Sequence, residues 1–193
     1  MKDFNTFKKL KNVKLRNIEK MNFVNDGNRS LSESVVIHEV LNALEDFKSN
    51  NILNCVLIGG VALSFYVKPR ATMDVDFLFL SYEDIPDRIN KFKRHRKGAF
   101  QHNKTHVEVE VVTPQSINLP FHIAETIFNT SIIIDNIKIA SPSGLVASKL
   151  FRFNRQDQAD IDALIECSKI DLEPFNLPDE QLEKFKIIMD SMI

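Results

Sequence analysis

Asp74 and Asp76 stand one residue apart at the mouth of an apolar run, in the stretch VLIGGVALSFYVKPRATMDVDFLFL, residues 56–80. On a strand, residues two apart project to the same face. The two carboxylates therefore point together, while Val75 and Phe77 point into the opposite layer. Carboxylates this close repel each other unless protonated or neutralised. A hard divalent cation is a common remedy, and magnesium favours carboxylate oxygens together with substrate phosphates. A polar strand entrance facing solvent is the other reading. Upstream, Gly59-Gly60 turns a short apolar run into a helix. Such a turn lets a phosphate reach backbone N–H groups at a helix N-terminus, where the dipole also favours an anion; close packing is the alternative. A right-handed return through that helix would bring the turn beside the aspartates.

THVEVEVVTP, residues 105–114, adds two further acids. Its alternation makes a strand with His106, Glu108 and Glu110 on one face and Val107, Val109 and Val111 on the other. If this strand neighbours the first, up to four carboxylates converge, which is the geometry of a two-metal phosphoryl-transfer site. Glutamates on an exposed sheet face are the plain alternative. Among the basic groups, Arg70 either reaches phosphate or simply neutralises the carboxylate pair. Lys149 and Arg152, three apart, share a helix face. KFKRHRK, Lys91–Lys97, is the one dense basic cluster, readable as a track for a nucleic-acid backbone or as a solvated loop.

Elements must hold these groups in place. Ser30 and Glu33 have capping-box spacing before a helix with Val36, Val40, Leu41, Leu44 and Phe47 on its apolar face. Leu53–Ile58 reads as a strand, Val61–Val67 as the helix after the glycines, closed by Pro69, and Met73–Leu80 as a strand in the middle of a covered sheet. SYEDIPDRINKFKRHRKG reads as a helical or irregular basic crossover, and SIIIDNIKIA as a hairpin folded over Asp135-Asn136. Ser141 and Pro142 open a helix, Asp157 caps another carrying Ile161, Leu164 and Ile165, and Pro178–Ile193 carries an apolar stripe through Leu182, Phe185, Ile188, Met189 and Met192. Three parts are expected: a basic N-terminal arm (1–30), a core (31–140) and a C-terminal helical part packed on it (141–193).

The bulk numbers fit. The chain has 193 residues, 44% hydrophobic and 26% charged, with a net charge of -1, so any nucleic-acid or membrane binding must come from a local patch. Cys55 and Cys167 lack metal-like spacing and read as reduced and structural. The five histidines show no paired zinc spacing. With no signal-peptide core and no apolar run long enough for a bilayer, the expected location is cytoplasmic, without membrane contact.

Residues 57–80 resemble the nucleotidyltransferase superfamily, whose pattern is a Gly-Ser or Gly-Gly turn, an Asp-x-Asp strand and a third acid on a later strand. The order Arg70, Thr72, Asp74, Asp76 is most similar to the AbiEii/MenT-like branch found among bacterial toxins and uncharacterised proteins. IKIASPSGLVASKLFRFNRQDQADIDALIE resembles the later part of that branch, and the likeness spans roughly residues 50–168. It implies an α+β fold, a mixed β-sheet flanked by helices, with a polymerase-beta-like palm and a C-terminal helical part. By the same likeness, Asp74, Asp76 and Glu110 would hold Mg²⁺ or Mn²⁺, with Glu108 in reserve. Gly59, Gly60, Arg70, Thr72, Lys149 and Arg152 would meet the NTP, with Asp160 or Asp162 completing the far wall. The implied activity moves an NMP to an acceptor hydroxyl on RNA, such as tRNA, or on protein, with a cognate antitoxin as a conceivable partner. Gly60 stands where a serine is commoner, and the third acid is a Glu rather than an Asp. A catalytically inactive nucleotide-, RNA- or protein-binding member is therefore the alternative.

Overall fold

The computed structural model describes residues 37–67, 74–134 and 136–192. In chain order they form α1 (Ile37–Lys48), β1 (Val56–Ile58), α2 (Gly59–Leu63), β2 (Asp74–Leu78), β3 (Phe92–Arg96), β4 (Ala99–His102) and β5 (Glu108–Val112). Then follow α3 (Phe121–Asn129), β6 (Ile132–Ile134), β7 (Ile137–Ile139), α4 (Pro142–Arg152), α5 (Arg155–Cys167) and α6 (Asp179–Ser191). The basic arm, the Ser30–Glu33 capping box, Pro69, Arg70, Thr72 and Asp135 lie outside the described residues.

The strands make one mixed sheet in the order β3-β4-β5-β2-β1-β7-β6. β2 pairs in parallel with β5 and antiparallel with β1. The glycine turn lies beside Asp76 as expected, but β1 and β2 pair antiparallel, with Ile58 facing Asp76, so it is not a right-handed crossover return that brings it there. β2 is central, as its apolar second half demands, with Phe77 and Leu78 fully buried. α1 covers the Val75–Phe77 face, where Phe47 stacks on Phe77 with ring centroids 4.2 Å apart. A polar tie reinforces this layer. The backbone N–H of Thr105 donates to His102 Nδ1, leaving Nε2–H for Asp46, 3.0 Å away, so the hairpin end is pinned to α1.

Residues 91–97 do not form a crossover helix or a loop. Phe92–Arg96 is the edge strand of a hairpin with Ala99–His102, turned at Gly98, whose φ is +77°. Four charged or polar residues in succession hid this strand, yet charge is what a protein places on an open sheet edge. The β6–β7 hairpin folds as expected, with Asn136 left-handed at φ 64°.

Ser141 caps α4 through Gly144 N–H (3.1 Å), with Pro142 in its first turn. α5 is capped by Asn154 rather than Asp157. The Asn154 side chain accepts from Asp157 N–H at 2.8 Å, and the Asp157 carboxylate accepts the Asn154 N–H in return. Leu145, Leu150, Ile161 and Leu164 join Leu57, Ile58 and Leu78 in one core cluster. The α6 stripe is only partly used: Ile188 is buried, while Leu182, Met189 and Met192 are exposed. Cys55 is buried, whereas Cys167 is exposed, so burial supports a structural reading for Cys55 alone.

Phe47→Ala removes the ring that seals α1 to the sheet. It is expected to cost about 3–5 kcal/mol of unfolding free energy, measured by urea titration.

Candidate active site

The parallel register of β2 and β5 sets Asp74 opposite Glu108 and Asp76 opposite Glu110. Paired residues share a face, so the period of two collects four carboxylates on one side and Val75, Phe77, Val109 and Val111 on the other. Asp74, Asp76 and Glu110 each present one oxygen, and these three lie within 4.8 Å of one another. Glu108 lies outside that cluster. Arg96 Nη2, arriving from β3, donates to Oε1 of both Glu108 and Glu110, and His95 Nε2 lies 3.7 Å from Glu108 Oε2.

Gly59 packs directly against this cluster. Its φ is +68°, and an added Cβ would sit 1.8 Å from Asp76 Oδ2. Both facts require glycine here: the left-handed backbone disfavours a side chain, and the carboxylate already fills the space. Gly60 is buried in the first turn of α2.

Burial pushes the Asp76 carboxyl up to about 7, with the charges of Asp74 and Glu110 adding to the rise and those of Arg152 and Lys149 opposing it. The two cations come from α4, but their hydrogen bonds are spent elsewhere. Lys149 is only 5% exposed, and its Nζ donates to Asp160 Oδ2 at 2.6 Å and Asp157 Oδ1 at 3.4 Å. Arg152 forks onto Asp157 through Nε (2.7 Å) and Nη2 (2.6 Å), although its side chain is 67% exposed. Burial alone would raise the Asp157 carboxyl, yet Arg152 and Lys149 hold it below its ordinary value. Asp160 is thus the partner of Lys149 and also accepts from Gln156 at 3.1 Å. Asp162 follows on α5, with a buried Oδ1 that has no hydrogen-bond partner among the described residues.

Reading the sequence singled out neither Arg96 nor Asp157 as an individual partner. Arg96 sits inside the KFKRHRK cluster, where only strand register reveals which residue turns inward. Asp157 had a detectable signal, since Asn154 and Asp157 have the spacing of a reciprocal cap.

A mixed sheet with helices around it, a glycine turn against one strand and acids on that strand and its neighbour define a nucleotidyltransferase-type core. The chain belongs to the family described as "Nucleotidyltransferase of unknown function (DUF6036)", whose model matches residues 36–183. No curated protein matches it.

The donor set fits a divalent cation. Three carboxylates offer hard oxygen ligands within reach of one ion, and the charges of Asp74 and Glu110, which add to the burial that raises the Asp76 carboxyl, are ones a cation would offset. Among the described residues no helix is long and apolar enough to cross a membrane.

The Asp76 shift predicts a pH dependence in metal-free buffer. The folded protein keeps a proton on Asp76 that the unfolded chain, with its carboxyl near 3.8, has already released. Stability is therefore lost as pH rises from about 4, and the loss is complete above about 7. The full gap is worth at most about 4 kcal/mol, reduced to about 1–2 by the partial exposure of the site. Asp76→Asn is expected to raise the unfolding free energy by that amount near pH 8 and to leave it unchanged near pH 4, by denaturant titration at both.

Proposed function

We propose that the protein is a metal-dependent nucleotidyltransferase that passes a nucleoside monophosphate from an NTP to an acceptor hydroxyl. The acceptor oxygen bonds to the α-phosphorus, the α–β phosphoanhydride bond breaks with its electron pair leaving on pyrophosphate, and the hydroxyl proton passes to solvent water. The observation that carries this reading is the meeting of Asp74, Asp76 and Glu110 on adjacent parallel strands, against a turn kept open by Gly59. Asp74, Asp76 and Glu110 would hold Mg²⁺ or Mn²⁺, which when bound supplies neutralisation of phosphate charge and a more acidic acceptor hydroxyl. Gly59 and Gly60 bring backbone N–H groups to the phosphates. Arg152, exposed and close enough to act on Asp76, is better placed to meet the triphosphate than Lys149, whose ammonium is held by Asp160 and Asp157. Lys149 then orients the wall that carries Arg152. Arg70 and Thr72, outside the described residues, stand just before β2 in sequence and complete the phosphate side of this reading.

The order Arg70, Thr72, Asp74, Asp76 supports placing the chain beside the AbiEii/MenT-like branch, and with it a toxin-type enzyme acting on RNA or protein and held in check by an antitoxin. Nucleotide, RNA or protein binding without turnover is the second reading. It draws on Gly60, which has no hydroxyl to offer phosphate, and on Arg96, which engages Glu110.

Four α-labelled NTPs, each incubated with total RNA and with total protein in Mg²⁺ or EDTA, test the proposal. The expected result is label transferred in Mg²⁺ only, and reduced at least 100-fold by Asp74→Asn with Asp76→Asn, the scale on which lost charge stabilisation acts. Transfer that survives the double substitution overturns the reading. Nucleotide binding that ignores Mg²⁺ and yields no product selects the second.

A further inference from the structure

We propose that Arg96 is a built-in competitor for the metal: it shares the charge of Glu110 in the ion-free protein and withdraws toward Glu108 when a divalent cation binds. The β3–β4 hairpin thereby sets the affinity of the acidic cluster. This rests on the reading of Asp74, Asp76 and Glu110 as the metal site.

Three features of the hairpin deliver Arg96 to that position. The first is a break in register between Arg94 and Arg96. Phe92, Lys93 and Arg94 pair in step with His102, Gln101 and Phe100, so unbroken pairing would set His95 opposite Ala99. The irregularity sets Arg96 there instead. Bulges re-aim side chains in this way and are common beside active sites.

The second is the residue between. Ala99 lies opposite Arg96 on one side and opposite Glu110 on the other, so a row runs Arg96, Ala99, Glu110 across three strands. Only the Ala99 methyl group stands between the two positions in the sheet, and the long Arg side chain reaches over it to the carboxylate. In the neighbouring row the middle position is Gln101, flanked by Lys93 and Glu108, so a longer side chain than a methyl stands between that cation and its acid.

The third is Glu108. It accepts from the same Arg96 nitrogen as Glu110 yet does not belong to the three-acid cluster. It offers the guanidinium a carboxylate to keep when Glu110 is drawn toward an ion. Arg96 is 53% exposed on an edge strand, so it can shift without disturbing packed core. A guanidinium cannot lose its charge, and here one nitrogen, Nη2, serves both carboxylates. It therefore lowers repulsion among the acids while the ion is absent and opposes the ion's arrival.

The test is direct Mn²⁺ binding, read from the free-ion electron paramagnetic resonance signal with no nucleotide present. Arg96→Gln is expected to bind Mn²⁺ about 2–5-fold more tightly than wild type, the scale of a half-exposed charge pair. Lys93→Gln, which removes an equal charge from the same strand, changes affinity by less. Glu108→Gln, which removes the retaining carboxylate, weakens Mn²⁺ binding in the wild-type background and by a smaller factor when combined with Arg96→Gln. Equal or weaker binding by Arg96→Gln, or equal effects of Glu108→Gln in both backgrounds, overturns the inference and leaves the metal site standing. If neither wild type nor Arg96→Gln binds Mn²⁺, the metal reading falls and takes this inference with it. Thermal unfolding in EDTA checks that each variant is folded, as the exposure of Arg96 leads one to expect.

Discussion

Acids on two adjacent strands repel each other, and the rest of the molecule is arranged around that repulsion. β2 and β5 are held together, because their other face carries Val75, Phe77, Val109 and Val111, all buried. The acids therefore remain close, and the surroundings must supply positive charge. Two sources do so from opposite sides. Arg96 comes over Ala99 from the sheet edge, and the α4 pair of Lys149 and Arg152 acts on Asp76 from beyond the sheet. Neither source returns the Asp76 carboxyl to its ordinary range: burial first, and then the charges of Asp74 and Glu110, hold it near 7. The three acids thus stay within reach of one ion, which connects a folding constraint with the proposed chemistry.

The helical side repeats the pattern around two buried carboxylates. Asp157 and Asp160 are almost without exposure, and Lys149 and Arg152 satisfy them with four hydrogen bonds between them. Buried charges of this kind are retained only when paired and hydrogen-bonded. Asp157 also closes the reciprocal cap of α5, so one carboxylate fixes a helix start and anchors two cations. The position of Arg152 relative to the acids thus follows from how α5 begins.

Much of this was readable in the residues themselves. The period of two in Asp-Val-Asp and Val-Glu-Val-Glu-Val assigns carboxylates and valines to opposite faces without any tertiary information, and Ser-Pro marks the start of α4. What a single sequence hid were relations between elements. Nothing local says that β1 and β2 run antiparallel, or that β5 rather than the hairpin lies next to β2. The strand at 92–96 lacks alternation because its outer edge faces water and its register breaks before Arg96. Lys149 and Asp160 lie eleven positions apart on different helices, and their pairing depends on how those helices cross. The C-terminal stripe misled in the opposite sense, because amphipathic spacing does not oblige every apolar residue to find cover.

The parallel pairing of β2 and β5 has a kinetic consequence. Between the two strands the chain travels to the sheet edge and back through β3 and β4, so their contacts close late and carry a large loop entropy. Asp76 and Glu110 meet only when that step is complete. An ion that needs both has no purchase on partly folded chains. It would leave the speed of folding nearly untouched and instead prolong the lifetime of the finished fold by slowing its opening.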